Sequence, residues 1–232
     1  MAKPDRRLCA ICGTATRPPF RIPVAEGAPD LDFRPGEPAR ATLADWLQTC
    51  RNCVAAAPDL AALPLSAAEV VRSENYKWLE RHAAHIRPHL RWARLCAAHL
   101  RGAVFLQAAW AEDDAGNDDA AKALRLRAIR AWGTPEAAVD RMRKIDVLRR
   151  VGNFDRAQMH AGILLESDPD PTSAAILRFQ LARIADGDLG RHMMSAALPA
   201  SPTRPHVMIS RPAETPLPSG VFARLRRRIG LG

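Results

Sequence analysis

The sequence lacks an apolar run long enough to cross a bilayer. The longest apolar stretch, residues 103–111, is interrupted by Gln107 and followed by acidic residues, whereas a spanning helix needs about 20 apolar residues. Positive charge near residue 1 has no apolar segment behind it, so no secretory signal is predicted. We therefore expect a cytoplasmic location, where cysteines stay reduced and serve metal or redox chemistry rather than disulfides.

Signatures of catalysis are also missing. The chain contains no glycine-rich phosphate loop, no GxSxG elbow, no HExxH helix and no closely spaced acid pair beside an obvious pocket. No strand followed by a helix accompanies Cys12 or Cys53, as a thioredoxin-like redox site would require. No enzymatic activity is predicted, and a metal-dependent or thiol redox enzyme is a distant alternative.

The formal charge of +9 is concentrated at one end of the chain. Residues 199–232 contain six arginines and one acid, a net +5, which leaves +4 for the first 198 residues. The body is thus nearly balanced, as is usual for a solvated helical surface, and shows no phosphate-binding stripe.

Four of the five cysteines form two CxxC pairs, Cys9 with Cys12 and Cys50 with Cys53. Two intervening residues allow a tight turn to aim both sulfurs at one ion, and two such turns complete a tetrahedron. Gly13 suits the positive φ that such a turn requires. The spacing predicts one structural zinc ion, with two alternatives left open: redox-active pairs, or two pairs that bind nothing together.

The 37 residues between the two pairs are rich in proline, which argues for an irregular loop with short edge strands. Leu43, Trp46 and Leu47 are predicted to supply an apolar patch beside the metal. Residues 1–65 are therefore predicted to form a small zinc-ribbon-like domain with a proline-rich insert.

Residues 66–198 are predicted to be helical. Ser66 and Glu69 have the spacing of a capping box, so a helix should begin at Ala67. Pro88 predicts either a kink or the first turn of a new helix that runs to about Asp114.

A period is visible within the helical region. Residues 116–121 match residues 152–157, and Gly187 follows at a similar interval. This predicts three helix pairs at about 89–132, 135–167 and 171–197, with Thr134 and Pro135 beginning the second pair. Ala157 is predicted to permit close approach of two paired helices.

The second unit, residues 145–169, resembles the tetratricopeptide repeat in its spacing. The chain is also similar, over about residues 9–197, to an uncharacterised bacterial family in which two CxxC knuckles precede tetratricopeptide-like helices; the knuckle at 9–13, the approach to the second pair at 46–53 and the turn at 152–155 carry this similarity. The repeat resemblance implies a groove that binds a protein or peptide. Candidate groove residues are Trp92, His99, Arg141 and Lys144, although positions of these types are more often ordinary surface or core positions.

A histidine stripe precedes the repeats. His82, His85 and His89, followed by Trp92, Cys96 and His99, would share one face of an uninterrupted helix. A second metal site is conceivable there, but histidines beside a core are the commoner case.

Residues 199–232 are predicted to be a disordered linker ending in a short basic amphipathic segment. Such a segment is too short to be helical alone and would be ordered by a protein groove, an anionic membrane surface or nucleic acid. Its candidate contact residues are Phe222, Leu225, Arg226, Arg227 and Arg228.

Together these features predict a mostly α protein that acts as a zinc-stabilised adaptor or scaffold for protein–protein interaction. The alternative is a nucleic-acid-associated protein that contacts phosphates through the zinc ribbon and the basic tail. No small-molecule substrate is evident from the sequence.

Overall fold

The structure, a computed structural model, describes residues 7–133 and 137–198, which all belong to one compact unit. Within these ranges the chain is mostly helical and carries a cysteine cluster near its N-terminal end, which confirms the predicted fold class. None of the helices described is both long enough and apolar enough to cross a membrane. The α-helices are α1 (Ala67–Arg72), α2 (Glu74–Lys77), α3 (Arg87–Leu95), α4 (Arg101–Asp114), α5 (Asp118–Trp132), α6 (Ala138–Arg150), α7 (Phe154–Glu166) and α8 (Pro171–Ala185).

Two predictions fall outside the described residues. One is the start of the second helix pair at Thr134 and Pro135. The other is the tail of residues 199–232, with its candidate contact residues.

Two short strands, β1 (Gln48–Thr49) and β2 (Ala56–Ala57), form an antiparallel pair. They flank the second cysteine pair, which therefore lies at the tip of a hairpin. A single antiparallel bridge between Leu8 and Ala15 flanks the first cysteine pair in the same way. Each CxxC turn thus lies at the end of a short antiparallel pairing.

The first helix begins at Ala67 as predicted, but the capping box does not form. Ser66 is itself in a helical conformation, and its side chain accepts no hydrogen bond from the helix. The serine that caps is Ser73, whose hydroxyl accepts from the Tyr76 amide at the start of α2. An extended backbone at Ser73, with ψ of 147°, gives its side chain the position that a cap requires.

Pro88 lies in the first turn of α3, which was one of its two predicted roles. The helix does not continue to Asp114, however, because the backbone becomes extended at Cys96. A short 3-10 turn, Ala98–Leu100, then leads into α4. The bend lets Ala93, Cys96 and Val104 bury against one another, which a straight helix would not allow.

The three glycines of the predicted period occupy one kind of turn. Gly116, Gly152 and Gly187 all have positive φ, between 64° and 80°, and each follows the end of a helix. After each glycine an amide donates to a carbonyl five residues earlier in the Schellman pattern: Asn117 to Glu112, Asn153 to Leu148, and Asp188 to Arg183. The tetratricopeptide likeness itself stays a prediction.

Neighbouring helices pack in sequence, α4 on α5, α5 on α6, α6 on α7 and α7 on α8. Ala121 and Ala157, which match in the period, are both completely buried. After α8 the last predicted pair, which was expected to be reduced as a capping unit, continues as a loop and one 3-10 turn, Met194–Ala197. This segment pairs with the proline-rich insert through an isolated bridge between Asp30 and Met193.

The proline-rich insert packs against the helices. Leu31 is completely buried, and the Trp110 indole on α4 donates to Asp32 at 2.8 Å. Leu43 and Trp46, predicted to lie beside the metal, instead pack in the core formed with α4 to α8, because the insert crosses the helices before it returns to the cysteines. The insert therefore belongs to the same packed unit as the helices that follow residue 65.

Candidate metal centre

The first CxxC turn is closed by two backbone hydrogen bonds. The Gly13 amide donates to the Cys9 carbonyl at 2.9 Å, and the Cys9 amide donates to the Thr14 carbonyl at 2.8 Å. Gly13 has φ of 69°, the left-handed conformation expected of a residue that follows a metal knuckle.

The second CxxC turn repeats this geometry. The Val54 amide donates to the Cys50 carbonyl at 3.1 Å, and the Cys50 amide donates to the Ala55 carbonyl at 2.8 Å. Val54 has φ of 56° although it is β-branched, a conformation that costs about 1–2 kcal/mol relative to ordinary backbone. The surrounding structure must therefore hold Val54 in place.

The two turns bring the four predicted sulfurs together. Cys9 Sγ is 3.7 Å from Cys53 Sγ, Cys12 Sγ is 3.5 Å from Cys50 Sγ, and all four sulfurs lie within 4.8 Å of one another. Four sulfurs placed about 2.3 Å from a central ion would lie about 3.8 Å apart in a tetrahedron. The cluster is thus consistent with a structural metal ion.

The sulfurs differ in their surroundings. Cys9 and Cys50 are buried, whereas Cys12 and Cys53 are partly exposed. Burial raises the pKa of Cys9 and of Cys53, while the Thr14 hydroxyl, 3.3 Å from the Cys12 sulfur, lowers the pKa of Cys12 to about 6. A cation among the sulfurs is needed to stabilise four thiolates in so small a volume.

Helix α2 supports the second turn directly. The Tyr76 hydroxyl accepts from the Ala56 amide at 3.3 Å and is 3.5 Å from the Val54 carbonyl, to which it donates. Tyr76 is buried in the same apolar cluster as Cys9 and Cys50. The metal centre and the first three helices therefore share a core.

The candidate groove residues lie in different environments. Trp92 on α3 is partly buried, His99 is exposed in the 3-10 turn before α4, and Arg141 on α6 is partly buried. Lys144 is buried, and its ammonium donates to the Gly133 carbonyl at the end of α5. This contact places Lys144 in the packing between helices and not at an open surface.

The histidine stripe is not on one helix, because α3 begins at Arg87 and ends at Leu95. His85 Nε2 lies 2.9 Å from a Glu112 carboxylate oxygen, and His89 is buried with no hydrogen-bond partner at either ring nitrogen. Among the residues described, only the cysteine group meets the distances of a metal site.

A buried charge network was missed from the sequence. Arg149 is completely buried, pairs with Asp146 at 2.7 Å, and donates to the carbonyls of Asp188 and Gly190 at 2.5 and 2.7 Å. Burial raises the pKa of Asp146 to about 6. The network fixes the loop after α8, and its local sequence signal is the i, i+3 spacing of Asp146 and Arg149 on α6.

The fold and the site define a mostly helical protein with a four-cysteine cluster suited to a structural metal ion. No family model, no curated protein and no solved structure matches the chain.

Proposed function

We propose that this protein is an adaptor, in which one zinc ion stabilises the N-terminal turns and the helices bind another protein. The observation that carries the proposal is the convergence of four cysteine sulfurs within 4.8 Å of one another. A set of four thiolates leaves no coordination position for substrate, so the metal serves the fold and not a reaction.

Zinc is the metal that the ligand set favours. Thiolates are soft ligands that select zinc, copper(I) or iron–sulfur chemistry, and tetrahedral four-sulfur sites are typical of zinc or iron. The paired CxxC turns, each closed by amide hydrogen bonds, also suit a single ion.

Elemental analysis of the purified protein tests the metal. We expect one zinc per chain, and loss of zinc in Cys50→Ser. Cys96→Ser is the matched control, because Cys96 is buried in a separate small cluster with Ala93 and Val104. Zinc near zero in protein prepared without chelators, or equal zinc in both variants, would contradict the proposal; iron with visible absorbance would assign a different metal.

Exposed apolar side chains support a protein partner. Met159 and Ile163 lie one turn apart on α7 and are 52% and 51% exposed. In this proposal the two side chains, on one exposed face of α7, contact the partner protein. In the tail, Phe222 and Leu225 beside three arginines provide a second contact in this proposal, based on the sequence pattern.

Affinity capture from the native cell tests the partner. We expect one protein to be retained by the full chain and lost with Met159→Ser combined with Ile163→Ser. Leu65→Ser is the control, since Leu65 is 82% exposed but lies before α1. Retention that disappears after nuclease treatment and falls steeply with salt would favour the nucleic-acid alternative instead.

A further inference from the structure

A cleft of about 630 Å³ lies among α3, α4 and α5, and no cysteine lines it. Four arginines line it, Arg94 on α3, Arg101 at the start of α4, and Arg127 and Arg130 on α5. The remaining lining is apolar and includes Phe105. Its volume is in the range of small-molecule sites, about 300–1,000 Å³.

The four guanidinium groups are not neutralised from within the described chain. No acidic residue lines the cleft, and none of the four arginines forms an ion pair with the residues that the structure describes. Glu69 lines an adjoining depression with Arg94 but does not reach this cleft. Elsewhere, arginines such as Arg34, Arg125 and Arg149 pair with carboxylates.

Packing positions the half-buried Arg127 and the helix ends that bear the exposed Arg101 and Arg130. The Arg127 guanidinium lies 4.2 Å from the centre of the Phe105 ring, a stacking geometry that orients the planar group. Gly102, the second residue of α4, packs so closely on Trp132 that an added Cβ would lie 2.3 Å from the indole. This contact joins the beginning of α4 to the end of α5, which bear Arg101 and Arg130.

The arrangement is electrostatically unfavourable while the cleft holds no anion. Burial lowers the pKa of Arg127, and the nearby Arg94 lowers it further. Arg101 stands at the positive end of the α4 dipole, and that helix has neither a side-chain cap nor an acidic residue in its first turn. A bound anion would relieve the repulsion among the arginines and the uncompensated dipole together.

We propose that this four-arginine cleft binds a small polyanion with linked phosphate groups, a nucleoside triphosphate or an inorganic polyphosphate. Guanidinium groups present paired donors that match phosphate oxygens, and linked phosphates carry on the order of four negative charges within the span of such a cleft. The site lies beyond the adaptor function proposed above.

A nucleic acid fits the cleft less well. Strand binding relies on exposed aromatic faces on which bases stack, and the only aromatic ring in the cleft lining, Phe105, is covered by Arg127. A nucleic-acid strand would also need a long basic surface that follows its phosphates, whereas these arginines line one confined cleft.

Titration calorimetry of the full chain with tripolyphosphate, at low salt, is the direct test. We expect binding that weakens with added salt, and a loss of at least about tenfold for each of Arg101→Gln and Arg127→Gln. Arg156→Gln and Arg178→Gln remove the same charge from exposed positions on α7 and α8, and they should change affinity less than about twofold. Melting temperatures of all variants establish that folding is retained.

Further arms distinguish the sources of the phosphates. Equal affinity for tripolyphosphate and ATP supports recognition of the phosphate chain alone, whereas tighter ATP binding supports a nucleoside triphosphate. The proposal is overturned if tripolyphosphate does not bind, or if the control arginines matter as much as the cleft arginines. It is equally overturned if only replacement of Arg226, Arg227 and Arg228 abolishes binding, or if hexaglutamate or single-stranded DNA binds in the cleft and tripolyphosphate does not.

Discussion

The two cysteine turns have the same backbone but different supports. Gly13 adopts its positive φ in the first turn at no steric cost, whereas Val54 adopts it in the second against its own preference. Each turn has one partly exposed cysteine, Cys12 or Cys53, and the first turn is attached through the Ala10 amide, which donates to the Leu60 carbonyl at 3.0 Å. The second is attached to α2 through Tyr76 and lies against α3 through β2.

This difference shows that a metal knuckle can be specified in two ways. In the first turn the local sequence supplies the conformation, because Gly13 adopts the positive φ without strain and the Thr14 hydroxyl contacts the Cys12 sulfur. In the second turn the tertiary structure imposes the conformation, because the buried Tyr76 hydroxyl bonds to the backbone on both sides of Ala55. The experiments below separate these two kinds of specification.

Removal of the metal should have the largest effect, because it acts on both turns. Structural zinc sites in peptides bind with about 10–16 kcal/mol, so chelation should cost at least about 5 kcal/mol of unfolding free energy. Urea unfolding followed by far-UV circular dichroism measures it. Cys50→Ser should be more destabilising than Cys12→Ser, since Cys50 is buried in the core shared with the helices. A urea midpoint unchanged by chelation would show that the centre does not stabilise the fold.

Protonation of His89 should test how the burial of α3 contributes to stability. His89 lies on α3, and burial lowers its pKa to about 4, from an ordinary value of 6.5. A buried neutral histidine contributes stability that is fully present above pH 6.5 and is lost as pH falls through 4, at most about 3 kcal/mol. His89→Leu should therefore flatten the stability profile between pH 6.5 and 4, measured with chelator in both samples so that metal release does not contribute. Identical slopes would show that His89 does not titrate on unfolding.

Exchanging the residues that follow each cysteine pair compares the turns directly. Gly13→Val should cost about 1–2 kcal/mol, and the cost is conformational because an added Cβ at Gly13 meets no atom within 4 Å. Val54→Gly should lie within about 1 kcal/mol of the parent, since relief of strain is offset by lost packing and a more flexible unfolded chain. Chemical unfolding of the metal-loaded proteins measures both. Equal losses would mean that the turns are not specified differently.

Loss of the Tyr76 hydroxyl should have the smallest effect. Tyr76→Phe leaves the buried Ala56 amide without its hydroxyl acceptor, which costs about 1 kcal/mol. Thr14→Val is the counterpart in the first turn and should cost less, because its site is more exposed. Amide hydrogen exchange at Ala56 should accelerate only in Tyr76→Phe; acceleration in both variants would contradict the assignment.

The cysteine ligands and the glycine turns were predictable because both are local properties. A CxxC spacing determines how two sulfurs can converge, and a glycine after a helix marks a left-handed residue. The positions of Cys9, Cys12, Cys50 and Cys53, and the turns at Gly116, Gly152 and Gly187, required no knowledge of distant contacts.

The remaining features depend on distant parts of the chain. Local pattern continues the helix through Cys96, yet burial with Val104 breaks it. Lys144 is of a residue type that usually lies at the surface, but its ammonium donates to the Gly133 carbonyl at the end of α5. Asp32 meets Trp110 and Arg150, which are 78 and 118 residues away, and no spacing rule predicts such partners.

The contact between Asp32 and the Trp110 indole has a consequence for how this protein is inherited. A recombination breakpoint between residues 32 and 66 would separate Asp32 from the helices. The buried Trp110 indole would then lack its hydrogen-bond acceptor. The partly buried Arg150, 3.5 Å from the same carboxylate, would lose one of its counter-ions as well. The cysteine turns, the insert and the helices are therefore expected to be retained together when the gene is rearranged.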